Sequence, residues 1–252
     1  MINTLKILKH QGAQFIEDVT RVSLKAPFRG RPLISNEKVN EGELINLCPT
    51  GAISGNPIKL DLGKCTFCNE CALKFPNKIK FTTDYKIAAN DFSSLIIYEG
   101  EDKPIELNPD LVREEITSMF GGSLKLRQVS AAGDNSAELE LNASGNVNFD
   151  IGRFGIEFVA SPRHADGIVI TGPISENMAE PLQICHDAAP DPKIIILYGV
   201  DAISGGIFSD SKALDRSFLD KYKIDLYIPG NPPHPLTFIN GVLDLIKSKK
   251  SL

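Results

Sequence analysis

The chain contains no apolar run approaching the ~20 residues a helix needs to cross a bilayer, no excess of basic charge, and only five cysteines in 252 residues. The first absence excludes a membrane span recognisable from hydropathy. The second excludes a diffuse phosphate-binding surface: 27 basic residues stand against 32 acidic ones, the formal net charge is −5, and no nucleic-acid partner is expected. The one basic run, Lys247-Ser248-Lys249-Lys250, reads as a solvated helix end. Residues 1–10 are too polar for the apolar segment of a secretory signal, so a cytoplasmic location is expected. No catalytic motif is present, Gly205-Gly206 being a tight turn too short to cradle a phosphate. A composition of 42% apolar and 23% charged residues describes a globular chain of one or two domains.

The few cysteines are placed with a pattern. Cys65-Thr66-Phe67-Cys68-Asn69-Glu70-Cys71 sets three thiols at intervals of three, and Cys48-Pro49-Thr50-Gly51-Ala52-Ile53 supplies a fourth. In two-cluster iron–sulfur proteins the run C-x2-C-x2-C-x3-C-P occurs twice, and the fourth cysteine of each run binds the other cluster. Counting by that spacing, Lys38, Glu41 and Leu44 occupy the remaining positions of the first run, and Phe75, before Pro76, the last of the second. Those four are the whole ligand set of one cube. Cys48, Cys65, Cys68 and Cys71 are the whole set of the other, so one [4Fe–4S] cluster is expected and a second is excluded. Buried or disulfide-bonded thiols are the alternative, but such short spacings suit disulfide geometry poorly. Zinc is the alternative metal, and the Cys-Pro-Thr-Gly-Ala-Ile stretch favours the cluster. Cys185 reads as a small buried hydrophobe on a helix.

Along the chain, residues 1–27 form an N-terminal amphipathic segment, in which Ile2, Leu5, Ile7, Leu8, Phe15 and Ile16 stand among Lys6, Lys9 and His10. Such a segment lies on a membrane, on a partner, or on its own domain. Residues 28–90 alternate as strand, helix and strand twice, with strands near 58–62 and 79–82 and helices ending at Cys48 and before Pro76. Residues 91–125 read as a connector with one helix over 109–120, stopped by Gly121-Gly122. From 126 to 252, apolar runs at 167–172, 193–198 and 225–228 are separated by helical segments, which is the pattern of a buried parallel sheet. A last helix over 235–247 carries Leu236, Ile239, Val242, Leu243 and Ile246 on one stripe. The expected fold is therefore an α+β, ferredoxin-like N-terminal domain followed by an α/β domain with a mostly parallel, flavodoxin-like sheet.

The second half also carries long motifs in order: Arg153-Phe154-Gly155-Ile156-Glu157-Phe158-Val159-Ala160-Ser161-Pro162-Arg163-His164, then Thr171-Gly172-Pro173-Ile174-Ser175-Glu176-Asn177-Met178-Ala179, then Ser204-Gly205-Gly206-Ile207-Phe208, and finally Ile228-Pro229-Gly230-Asn231-Pro232-Pro233-His234-Pro235. This half resembles the small electron-transfer subunit of membrane-bound group 4 [NiFe] hydrogenases and its homologue in respiratory complex I. The first half, including Leu5-Lys6-Ile7-Leu8-Lys9-His10-Gln11-Gly12, resembles the ferredoxin subunit of the same complexes, so one chain is similar to a fusion of two subunits. The resemblance implies a cluster in the small-subunit half as well. Its ligand positions fall here on Asp134, Ala137, Asp201 and Asn231, none of them cysteine.

The resemblance implies an iron–sulfur electron-transfer subunit of a membrane-associated oxidoreductase, peripheral on the cytoplasmic face and not catalytic alone. The expected partners are a hydrogenase large subunit-like or complex I-like catalytic subunit and other subunits of the complex. A structural or regulatory assembly subunit that conducts no electrons to the large subunit is the alternative. An independent enzyme with a rebuilt pocket at Asp134, Asp201 and Asn231 has no catalytic motif behind it, and an oxygen and nitrogen metal site among these three with His164 and His234 lacks convergent carboxylates.

Overall fold

Short helices and strands alternate through the first hundred residues of the computed structural model, which describes residues 2–12 and 15–247. After α1 (Ile2–Gln11), the elements β1 (Pro32–Ile34), α2 (Glu41–Leu47) and β2 (Ile53–Ser54) make one strand–helix–strand unit, and β3 (Lys59–Asp61), α3 (Glu70–Lys74) and β4 (Ile79–Phe81) make another. The two units interlock, β1 pairing with β4 and β2 with β3, all antiparallel. A fifth strand, β5 (Ile96–Tyr98), pairs with β3 from within the stretch that the sequence pattern marks as connector. Leu44, Ile53, Ile58, Leu60, Leu62 and Ile79 form the core between these elements.

The single helix expected over 109–120 is broken. Pro109–Leu111 is a 3-10 turn capped by Asn108, Val112 is extended, and α4 (Glu114–Phe120) begins anew. Arg113 at the break reaches across the chain to Asp225, with both guanidinium contacts at 3.1 Å, and that tertiary ion pair overrides local helix propensity.

Beyond it lie β6 (Leu124–Ser130), α5 (Ser136–Ala143), β7 (Ile156–Phe158), β8 (Gly167–Thr171), α6 (Glu176–Ala188), β9 (Ile194–Tyr198), α7 (Val200–Ser204), α8 (Ser217–Lys221), β10 (Leu226–Ile228) and α9 (Pro235–Lys247). The five strands pair in parallel in the order β7-β6-β8-β9-β10. This is the 2-1-3-4-5 doubly wound arrangement of flavodoxin-like sheets. Every residue of β8 and β9 is buried, as their unbroken apolar runs require when both sheet faces are covered. The strand β6 is absent from the sequence expectation because Lys125, Arg127 and Gln128 interrupt its apolar pattern.

The single apolar stripe expected of α9 understates its burial, which is almost all round. The sheet covers one side, and the first half of the chain covers the other. Ile16, Val22, Leu24 and Phe28 pack into the core of the parallel-sheet unit, and the Val19 carbonyl accepts from Asn240 Nδ2 of α9 at 2.9 Å and from Tyr85 Oη at 3.2 Å. Ala89 and Tyr227 exchange backbone hydrogen bonds of 3.0 and 2.7 Å, adding an antiparallel rung to the sheet edge at β10.

None of the residues of α1 is buried, so the helix does not dock on its own domain. Among the described residues no helix is long and apolar enough to cross a membrane. Of the C-terminal basic run only Lys247 lies within the described residues.

Candidate metal centre

The helix α2 starts at Asn40, whose side chain accepts from Glu43 N–H at 3.2 Å, and ends with Cys48 as its C-cap. Pro49 cannot continue it. Gly51, at φ +61°, then turns the chain back so that Ala52 N–H donates to Cys48 Sγ at 3.2 Å. Thr50 Oγ1 donates to the Lys64 carbonyl at 2.7 Å, tying this turn to the loop that begins at Cys65. That loop folds tightly: Phe67 N–H points to Cys65 Sγ at 3.4 Å, and Phe67 and Asn69 both take left-handed backbone at φ 54° and 75°. A bulky residue at positive φ is strained and persists only where its surroundings hold it. Here Arg29 Nε clamps the Phe67 carbonyl at 2.6 Å.

The consequence is that Cys48, Cys65, Cys68 and Cys71 line one cavity together with apolar Leu47, Ala52, Ile53 and Phe81. All four are free thiols; Cys65 and Cys71 are buried, Cys48 is half-buried and Cys68 is exposed. Burial, then the neighbouring Cys68, pushes the Cys71 thiol up to about 11, and burial raises Cys65 further still. Deprotonating such a group requires a compensating positive charge, which a bound metal supplies. Among the described residues no three His, Cys, Asp or Glu side chains form a group able to hold a metal ion. At the complementary positions, Leu44 is fully buried and Phe75 packs against the same core, while Lys38 is exposed and Glu41 opens α2.

In doubly wound sheets ligands bind at the carboxyl ends of the strands where the order reverses, which here is between β6 and β8. A side chain closes it. Glu138 on α5, 6% exposed, accepts through Oε1 from Ser130 Oγ at the end of β6 and from Thr171 Oγ1 at the end of β8, both at 2.6 Å. Its Oε2 has no hydrogen-bond partner. Sequence reasoning misses Glu138, although its place three residues before the buried Leu141 puts it on the inner face of α5. Glu138→Ala leaves Ser130 Oγ without its acceptor and Thr171 Oγ1 with only the Val129 carbonyl at 3.4 Å, and is expected to cost about 1–2 kcal/mol in urea unfolding.

The four positions singled out in this half are only partly assembled. Asp134 caps its own turn, accepting from Ser136 N–H and Oγ, which holds its carboxyl below the usual range. Asp201 on α7 is near enough to Asp134 to feel its charge; burial first, and that charge second, raise its carboxyl above the usual range. Ala137 faces Gly199, and Asn231 is exposed. His164 is exposed on a 3-10 turn. His234 is held edge-on between Phe28 and Phe149, and its Nδ1 accepts from Leu236 N–H at 3.1 Å. Burial lowers the His234 imidazole below its ordinary value. The stability it contributes is therefore complete above the unfolded-state value near 6.5 and is lost as pH falls below it. Between about pH 7.5 and about pH 5.5 the native chain should lose more stability than His234→Leu, as measured by urea titration at each pH.

Residues 135–245 match the family described as NADH ubiquinone oxidoreductase, 20 Kd subunit. The chain is 38% identical over 151 residues to formate hydrogenlyase subunit 7 of Escherichia coli (strain K12), covering 56% of this chain and 59% of that protein. It is 30% identical over 129 residues to the probable membrane-bound hydrogenase subunit mbhJ of Pyrococcus furiosus, covering 51% of this chain and 77% of that one. With an NADH-quinone oxidoreductase subunit of Clostridium beijerinckii it shares 43% identity over 108 residues, 42% of this chain and 64% of the relative. The chain belongs to the NADH ubiquinone oxidoreductase 20 Kd subunit family.

Proposed function

We propose that this chain is an electron-transfer subunit of a hydrogenase-like or complex I-like oxidoreductase, and that it joins a ferredoxin-type unit to a small-subunit unit whose own cluster ligands are lost. The observation that carries this reading is the convergence of Cys48, Cys65, Cys68 and Cys71 on one apolar cavity. In a cube each thiolate takes a different iron, so its ligands surround a volume and need not meet at a point. A zinc site needs them at one point, about 2.3 Å from each sulfur. The C-x2-C-x2-C spacing of Cys65, Cys68 and Cys71, with Cys48 followed by Pro49-Thr50-Gly51-Ala52-Ile53, supports a [4Fe–4S] cluster over zinc.

When bound, the cluster supplies one-electron exchange. The chain's own part is to keep water from Cys65 and Cys71, to direct the Ala52 and Phe67 N–H groups at two sulfurs, and to leave the Cys68 edge open to an electron partner. Hydrogen bonds to ligand sulfurs favour the more reduced, more negative state. In the parallel-sheet unit, Asp134, Ala137, Asp201 and Asn231 supply no thiolate and Glu138 fills the crevice, so this half serves as a docking scaffold for a large-subunit homologue within a complex at the cytoplasmic face of the membrane. The closed crevice favours one second reading, an assembly subunit at which the electron path ends. The four-cysteine cavity argues against it.

Iron and sulfide analysis of the anaerobically purified chain, with EPR after reduction, tests the proposal. About four iron and four sulfide per chain and a single cluster signal are expected. Zinc in place of iron, or about eight iron, overturns it.

A further inference from the structure

Arg29 is an exposed residue whose neighbours in sequence hold it from both sides. Before it, Phe28 packs into the core of the parallel-sheet unit and meets His234 edge-on, with ring centroids 5.3 Å apart. After it, Gly30 N–H donates to the Thr82 carbonyl at 2.7 Å and Arg31 N–H to the Asp84 carbonyl at 2.9 Å. A β-carbon at residue 30 would overlap that Asp84 carbonyl, so only glycine fits there. The arm is thus pinned to the second half on one side of Arg29 and to the first half on the other. From this fixed point Arg29 Nε donates to the Phe67 carbonyl at 2.6 Å.

Phe67 stands between two cavities. Its ring lies 5.8 Å from that of Phe81, which lines the four-cysteine cavity, and Phe67 itself lines another with Arg29, Asn231 and His234. Its backbone is left-handed at φ 54°, a conformation that a bulky residue keeps only under constraint. In that conformation its N–H points to Cys65 Sγ at 3.4 Å. A return of φ to negative values turns the N–H relative to the carbonyl, so the contacts to Cys65 and to Arg29 cannot both be kept. The clamped carbonyl also shares its peptide plane with the N–H of Cys68.

We infer that Arg29 is a positioning residue for the metal centre: by clamping the Phe67 carbonyl it keeps the Phe67 N–H on the Cys65 sulfur, and so raises the reduction potential of the cluster held there. The inference rests on the proposed [4Fe–4S] reading. An arginine serving solubility alone extends into water, whereas this one turns its inner nitrogen onto the carbonyl of a residue only 6% exposed. The donor is charged, which makes the bond stronger than one between neutral groups. Hydrogen bonds to ligand sulfurs are among the features that set cluster potentials. Through Phe28 and the arm, a half of the chain that offers no thiolate ligand thereby acts on the centre in the other half.

Redox titration of the anaerobically purified full chain, followed by EPR, tests this with Arg29→Met and Arg29→Gln. Glutamine carries an N–H donor as many bonds from its Cα as Arg29 Nε, without the charge; methionine has neither. Because Arg29 is exposed, both variants are expected to fold and to hold iron as the parent does. At the parent's midpoint potential the reduced-to-oxidised ratio of Arg29→Met should fall about tenfold, a negative shift of about 59 mV for one electron. Arg29→Gln should shift by less than half as much. An unmoved potential in Arg29→Met overturns the inference, as does an equal shift in both variants, which assigns the effect to charge and not to position. If Arg29→Met loses its iron, retention by Arg29→Gln supports the clamp and loss from both overturns it. A parent chain without iron overturns the electron-transfer reading and this inference with it. Iron in the parent with a potential indifferent to Arg29 overturns this inference alone.

Discussion

Replacing Cys68 by alanine is expected to remove the bound cluster or convert it to a species with less iron, lowering the content measurably below about four per chain. A methyl group cannot take the place of a thiolate ligand. The same substitution at Cys185 is the internal control. That thiol is half-buried on α6, far from the other four in its contacts, and joins the apolar core on the outer side of the parallel sheet. Cys185→Ala should leave iron unchanged and cost only about 1 kcal/mol of packing. Iron analysis of both variants, purified anaerobically alongside the parent chain, decides the matter: loss of iron from Cys185→Ala would show that the ligand set is wrong.

Charging the apolar face near α7 is expected to sever the chain from the large-subunit homologue proposed as its partner. Ile207 and Phe208, on the 3-10 turn after α7, are 65% and 40% exposed, and Leu139 on α5 is 62% exposed. Scattered apolar residues are ordinary on a surface; Ile207 and Phe208 follow α7, which carries Asp201, and Leu139 adjoins Glu138 on α5. Ile207→Asp with Phe208→Asp places two charges where the proposed docking buries apolar area, and an interface anchor of this type contributes about 2 kcal/mol or more. At about 2 kcal/mol for each of the two, an affinity roughly a thousandfold weaker follows for the pair. Co-purification of the parent and variant chains from the native host measures it. Equal recovery of both without a large-subunit homologue would leave the scaffold role unsupported.

The four-cysteine cavity is legible in the sequence because cysteine spacing is a local property. Three thiols at intervals of three can only surround a small volume, and a helix ending at Cys48-Pro49 is written in a few consecutive residues. The strands β8 and β9 and the bounds of α9 are legible for a similar reason: runs such as Ile194-Ile195-Ile196-Leu197 are stable only between two covered faces. The break in the helix at Arg113 is not, because its partner Asp225 lies 112 residues away. Nor is Glu138, a carboxylate that any pattern of solvent-facing charge would place outside.

The sequence by itself therefore determined which four cysteines gather, the α/β character of the second half and its family, since each rests on residues close together or on motifs in fixed order. Only the tertiary structure decided how the halves are joined. The arm at residues 15–28 covers α9, Ala89 extends the sheet at Tyr227, and Gly63, just before the cysteine loop, lies so close to α7 that a β-carbon there would sit 2.9 Å from Ile203. These contacts link positions tens to hundreds of residues apart, and their free energy comes from burying surfaces that exist only once both units have folded.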